Sequence, residues 1–104
     1  MDKFIECVNT FLEDEFGEES RIDSMPKDGI IPLAFTEYTF GDDDYEIQVS
    51  FDINKVCFIN YIDGEVVLVE PRDSLKEAGQ EISECSFDEM IYNCLCKGYE
   101  LYGD

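Results

Sequence analysis

The stretch YEIQVSFDI, residues 45–53, alternates without a break. Tyr45, Ile47, Val49, Phe51 and Ile53 fall on one side of an extended chain, and Glu46, Gln48, Ser50 and Asp52 on the other. Successive side chains of a strand point to opposite faces, so this segment belongs in a sheet whose apolar face is covered. A helix cannot absorb the pattern, because a period of two spreads the apolar residues around its whole circumference. The neighbouring segments share the period. LAFTEYTF (33–40) reads as the preceding strand, and KVCFINYI (55–62) and EVVLVE (65–70) as the two that follow, the last stopped by Pro71. Turn chemistry separates them at FGDDDY (40–45), at DINK (52–55) and at Asp63-Gly64, the last a strong hairpin signal. Four strands joined by short turns make an antiparallel meander.

A register can be tested on this pattern. Phe51 opposite Val56 puts Val49 opposite Phe58 and Tyr45 opposite Ile62; Ile62 opposite Glu65 puts Phe58 opposite Val69. One face is then almost wholly apolar. The other carries Glu46, Gln48, Ser50 and Asp52 on the second strand, and Cys57, Ile59, Tyr61, Val66 and Leu68 on the third and fourth. The second face is therefore expected to be polar at one side and apolar at the other. The 74–83 segment is expected to cover Ile59, Tyr61, Val66 and Leu68. Left uncovered, they would form an apolar patch fit for a partner or a second copy.

Helical spacing appears only outside the strands. Phe4, Ile5, Val8, Phe11, Leu12 and Phe16 follow Asp2, a fair N-cap, and Gly17 suits the position after the helix. Residues 17–32 form a long connection with a turn at MPKDG (25–29), and a connection of this length is often functional or mobile. Ser74 and Glu77 make a capping box before Leu75, Ala78 and Ile82, although Gly79 weakens that helix. Ser86 and Glu89 make a second box before Phe87, Met90, Ile91, Cys94 and Leu95, with Gly98 as the expected stop. The order predicts one α+β domain over residues 1–104. It is a four-stranded antiparallel meander with the first and last helices packed on its apolar face.

Composition narrows the function. The chain has 26 acidic and 7 basic residues and a formal net charge of −19, yet 44% of its residues are hydrophobic, enough to build a core. A surface this acidic repels nucleic acid and anionic membranes and favours basic proteins or cations. No run of 18 apolar residues reads as a membrane span, and MDKFIECVNTFLEDEF does not read as a targeting segment. Five cysteines without a CxxC pair fit reduced thiols and a cytoplasmic setting.

The residues for catalysis are sparse. There is no histidine, so the usual general base near neutral pH and the commonest metal ligand are missing. Phosphate loops and nucleophile elbows are absent as well. Cys94 and Cys96 stand two apart on a helix and point away from each other, which makes a poor chelate or redox pair; Cys94 is expected buried and Cys96 half exposed. Asp42, Asp43 and Asp44 lack the spacing of an EF-hand loop. The expectation is a protein without enzymatic activity, cofactor or resident metal, with a weak divalent-cation site at that turn as one alternative.

The carboxylates recur in clusters. LEDEFGEES (12–20) places Glu13, Asp14, Glu15, Glu18 and Glu19 around a helix C-terminus, where the macrodipole disfavours each by about 0.3–1 kcal/mol. Asp42, Asp44 and Glu46 would form a row of anions about 6.6–6.8 Å apart on a strand, beside Asp43. Solubility needs a net charge of only ~2–8 in magnitude for a small domain. Acids in such excess point to a surface that attracts a basic cleft, and basic clefts mostly hold nucleic acid. The expected function is a protein-binding inhibitor that mimics a phosphate backbone, acting as a monomer or homodimer. Small size, acidity and missing catalytic motifs resemble, in type only, phage inhibitors of the anti-CRISPR or anti-restriction kind and immunity proteins or antitoxins against nucleases. No motif assigns the chain to either. The alternative is an acidic adaptor or structural protein that binds through the apolar patch.

Overall fold

The computed structural model describes residues 2–24 and 26–102, and the side chains of 3–24, 26–39 and 41–97. Met25, the first residue of the expected MPKDG turn, lies outside the described residues, as does the side chain of the expected cap Asp2. Helix α1 (Asp2–Phe16) comes first, followed by a short 3-10 turn, Glu18–Ser20. Strands β1 (Ile30–Phe40), β2 (Asp43–Asp52), β3 (Cys57–Ile62) and β4 (Glu65–Pro71) follow, then helices α2 (Leu75–Glu84) and α3 (Phe87–Tyr102). The strands form one antiparallel sheet in the order β1-β2-β3-β4, the meander that the alternation predicts.

The helices lie on one face. Phe4 of α1 packs tilted on Phe51 of β2 with ring centroids 5.1 Å apart, and Phe51 meets Phe58 of β3 edge-on at 5.0 Å. α3 packs across all four strands, and α2 packs chiefly on α1. Phe51, Ile47, Val8 and Ile82 at the centre are fully buried. The serine half of each expected capping box forms: the Glu77 N–H donates to Ser74 Oγ and the Glu89 N–H to Ser86 Oγ, each at 3.1 Å. α3 runs through Gly98 to Tyr102 instead of stopping there, since one interior glycine costs only about 0.8–1.0 kcal/mol relative to alanine and the ladder continues.

The connection after α1 is shorter than 17–32 and is fastened. Asn9, buried on α1, accepts the Ile22 N–H at Oδ1 (2.8 Å) and donates from Nδ2 to the Ile22 carbonyl (3.0 Å). β1 then begins at Ile30, three residues earlier than the alternation suggests, and contains Pro32. β1 is an edge strand, where a missing N–H need not break a ladder.

Gly79, which weakens α2 as a sequence, has a packing reason. A Cβ there would stand 3.2 Å from Phe4 Cδ2 and 3.3 Å from Cys7 Sγ, so glycine sets the closest approach of α1 and α2. Gly79→Ala is expected to forfeit the usual helix gain of about 0.8–1.0 kcal/mol, and Gly79→Leu to destabilise by about 1–3 kcal/mol. Urea unfolding of both variants followed by circular dichroism tests this; a clear rise in midpoint for the alanine variant would show that the contact is loose.

The register differs from the expected one in two places. Between β2 and β3 the pairs are Phe51 with Phe58 and Ile47 with Ile62, two residues away from the expected alignment but on the same face. The turn is a four-residue loop, Ile53–Val56, because Asp52 Oδ1 accepts the N–H groups of Asn54 (2.9 Å) and Lys55 (3.2 Å) and curls the chain outside the ladder. Between β3 and β4 an irregularity leaves Val67 as an extra residue: Tyr61 pairs with Val66, but Asn60 pairs with Leu68 and Ile59 with Val69. One inserted residue reverses the alternation beyond it. Val69, not Leu68, therefore joins Ile59, Tyr61 and Val66, and Leu68 falls opposite buried Asn60 on the helix side. A similar irregularity in β1 sets Leu33 apart between Pro32 and Ala34.

Candidate functional site

The face of the sheet away from the helices is open over part of its area: Phe35, Val66 and Val69 are exposed on it, whereas Ser50, Asp52 and Cys57 on the same face are buried. α2, expected to lie over it, instead packs on α1, drawn there by Ala78, Gly79 and Ile82. Phe35 and Val66 remain 55% exposed and Val69 50%. Cross-strand pairing sorts this face into rows. One row runs Phe35, Gln48, Tyr61, Val66 across all four strands, and the next runs Pro32, Ser50, Ile59, Val69. Gln48 Nε2 donates to Ser50 Oγ at 3.1 Å, so the polar residues between the apolar ones bond to each other. Phe35 and Val69 belong to this platform but do not stand out in the sequence. Phe35 lies at an outward position of LAFTEYTF, and the extra residue that turns Val69 outward leaves no mark in EVVLVE.

Acidic rows adjoin the platform at one end. Glu37 sits directly opposite Glu46, and Thr39 opposite Asp44, whose Oδ1 accepts the Thr39 hydroxyl at 2.7 Å. β3 pairs with β2 only as far as Ile47, so beyond it β1 and β2 continue as a two-stranded arm to the turn at Gly41-Asp42. The expected row of Asp42, Asp44 and Glu46 is thus shorter. Asp42 is in the turn, Asp43 pairs with Phe40 on the other face, and Asp44 and Glu46 share the open face with Glu37. Asp63, in the Asp63-Gly64 hairpin with φ of 54° and 80°, accepts the Glu46 N–H at Oδ1 (2.9 Å) and closes the end of the β2–β3 ladder. Among the described residues none of these arm carboxylates has a cationic partner within ion-pair distance.

The other acidic cluster lies on a different element. Glu13, Asp14 and Glu15 end α1, and Glu18 and Glu19 form the 3-10 turn. Glu13 is compensated by Arg21 at 3.0 Å; the other four have no ion pair among the described residues.

A third group of charges joins β4 to α2 and α3 around a cleft of about 60 Å³. Arg72 holds Glu81 with two bonds, 2.6 Å from Nε and 2.9 Å from Nη2, and lies 4.9 Å over the Phe58 ring. Glu70 accepts from Lys97 Nζ at 2.6 Å and from Asn60 Nδ2 at 3.1 Å. Two carboxylates balance two cations, so the group acts as a clamp rather than an ion site. The Arg72 hydrogen bond holds the Glu81 carboxyl below its usual range, and the same bond raises Arg72. A depressed carboxylate stabilises the fold above its unfolded pKa, and that contribution is lost as pH falls through the folded value. The stability difference between the wild type and Glu81→Gln is therefore expected to be modest at pH 7, since the pair is partly exposed, and to shrink on acidification below about pH 4.5. Denaturation midpoints of both proteins at pH 7 and pH 3 test this, and a constant difference would sink it.

All five cysteines are free thiols, and Cys94 is buried while Cys96 is exposed. Burial, then Glu70, pushes the Cys94 thiol up to about 11; burial, then Glu89, pushes Cys85 up to about 11; burial also raises Cys57. Cys96 is expected to react first with a thiol-specific disulfide reagent at pH 8, and Cys57 and Cys94 only on unfolding. Peptide mapping of the modified protein checks the order.

Among the described residues, no group of three or more Cys, Asp or Glu is gathered to hold a metal ion, and no helix is long and apolar enough to cross a membrane. No family model matches this chain, and no curated protein and no solved structure matches it.

Proposed function

We propose that this protein is a non-enzymatic inhibitor that binds a basic protein, occupying a cleft that otherwise holds nucleic acid. The observation that carries the reading is the β1–β2 arm. Its carboxylates Glu37, Asp42, Asp43, Asp44 and Glu46 have no ion-pair partner among the described residues, on a ribbon only two strands wide. The four pairs from Glu37–Glu46 to Phe40–Asp43 span about 10 Å at ~3.4 Å per residue. Anions on a narrow arm substitute for a stretch of phosphates, and the net charge of −19 speeds encounter with a cationic cleft. Asp14, Glu15, Glu18 and Glu19, on a different element, add to the negative charge, while Glu13 is paired with Arg21.

Affinity capture from nuclease-treated lysate of the source cells, with elution by rising salt, tests the reading. A basic nuclease, effector or DNA-binding protein that elutes with salt, and from which nucleic acid competes the inhibitor away, is the expected result. The exposed Phe35, Val66 and Val69 favour a second reading, an adaptor whose acids only solvate it. A partner that resists salt and is indifferent to nucleic acid selects the adaptor.

A further inference from the structure

We infer that the open face of the sheet is the docking platform for the basic partner, and that the partner offers it apolar side chains flanked on one side by lysine or arginine. The inference rests on the reading above that the partner is basic. The two rows that hold Phe35, Tyr61, Val66, Ile59 and Val69 cross four strands, about 14 Å at 4.7–4.9 Å per strand. The three most exposed of these residues span both edge strands, with Phe35 on β1 and Val66 and Val69 on β4. An apolar centre with a charged border is the anatomy of a protein-binding surface.

The border identifies the occupant. Glu37 and Glu46 stand directly opposite each other, and like charges so placed destabilise the free sheet. No lysine or arginine lies at any outward position of the four strands. A cation brought over the pair relieves the repulsion only when a partner is bound, so binding gains what the free protein lacks. A second copy cannot supply it. Its own face carries the same acids and no base, and each chain brings a net charge of −19.

The test uses the whole chain and two synthetic peptides. One is an amphipathic helix with leucines on one side and lysines beside them; the other is a lysine homopeptide of equal charge. At physiological salt the amphipathic peptide is expected to shift the amide resonances of Phe35, Gln48, Tyr61 and Val66. The double variant Val66→Ser/Val69→Ser, whose fold is checked by circular dichroism, is expected to weaken that peptide about tenfold and leave the homopeptide unchanged. Glu37→Gln/Glu46→Gln is expected to weaken both. If the serine variant binds the amphipathic peptide as tightly as wild type, the platform is refuted while a basic partner stands. If neither peptide binds, both readings fail. A dimer in sedimentation that the serine variant abolishes would make a second copy the occupant and overturn the inference.

Discussion

Phe51→Ala is expected to destabilise the protein by about 3–5 kcal/mol, a large part of the ~5–15 kcal/mol that holds a domain of this size together. Phe51 has no exposed surface and joins three elements: its ring meets Phe4 of α1 at 5.1 Å and Phe58 of β3 at 5.0 Å, from its own place on β2. Truncation removes the transfer energy of the ring, leaves a cavity between sheet and helix, and cancels two aromatic contacts of about 0.5–1.5 kcal/mol each. Phe58 then loses the neighbour that holds it under Arg72 at 4.9 Å, so the clamp to Glu81 loosens as well. Phe51→Leu keeps most of the volume and is expected to cost about half as much. Urea denaturation followed by circular dichroism gives the comparison, with the shift appearing in the midpoint at constant slope. A loss below about 1 kcal/mol for the alanine variant would show that this is not the centre of the core.

The second large effect concerns binding. Replacing Asp42, Asp43 and Asp44 together by lysine is expected to weaken the captured partner on the order of 100-fold while the protein stays folded. Each reversal adds two charges, so the formal net charge moves from −19 to −13. All three residues are exposed, and the one side-chain hydrogen bond removed is the exposed Thr39–Asp44 pair at 2.7 Å. Exposed substitutions of this kind usually change stability within about 0.5 kcal/mol each, and lower self-repulsion offsets the loss. The measurement is titration calorimetry at two salt concentrations beside a thermal melt. Unchanged affinity with an unchanged melt would remove the arm from the binding surface; unchanged affinity that is also independent of salt would favour the adaptor.

Much of the fold was legible because it depends on neighbours in sequence. The alternation from Tyr45 to Asp52, the Asp63-Gly64 turn and the Ser74 and Ser86 caps are local geometry, and each recurs in the structure, with Ile53 alone passing into the turn. The acidic clusters were legible as composition. Their arrangement was not: Asp42 reads like Asp44 along the chain, but the turn at Gly41-Asp42 removes it from the row that Asp44 and Glu46 share with Glu37.

Period, caps and charge count are set within a few residues, and they specify the meander, its apolar face, the helices and the excess of negative charge. Which surface faces the solvent depends instead on contacts between elements far apart in the chain. The absence of a side chain at Gly79 lets α2 close onto α1 beside Phe4 and Cys7, away from the open face, and the extra residue Val67 turns Val69 outward in place of Leu68. EVVLVE is apolar at every inner position and satisfies either parity, so only the pairing of β4 with β3 resolves it.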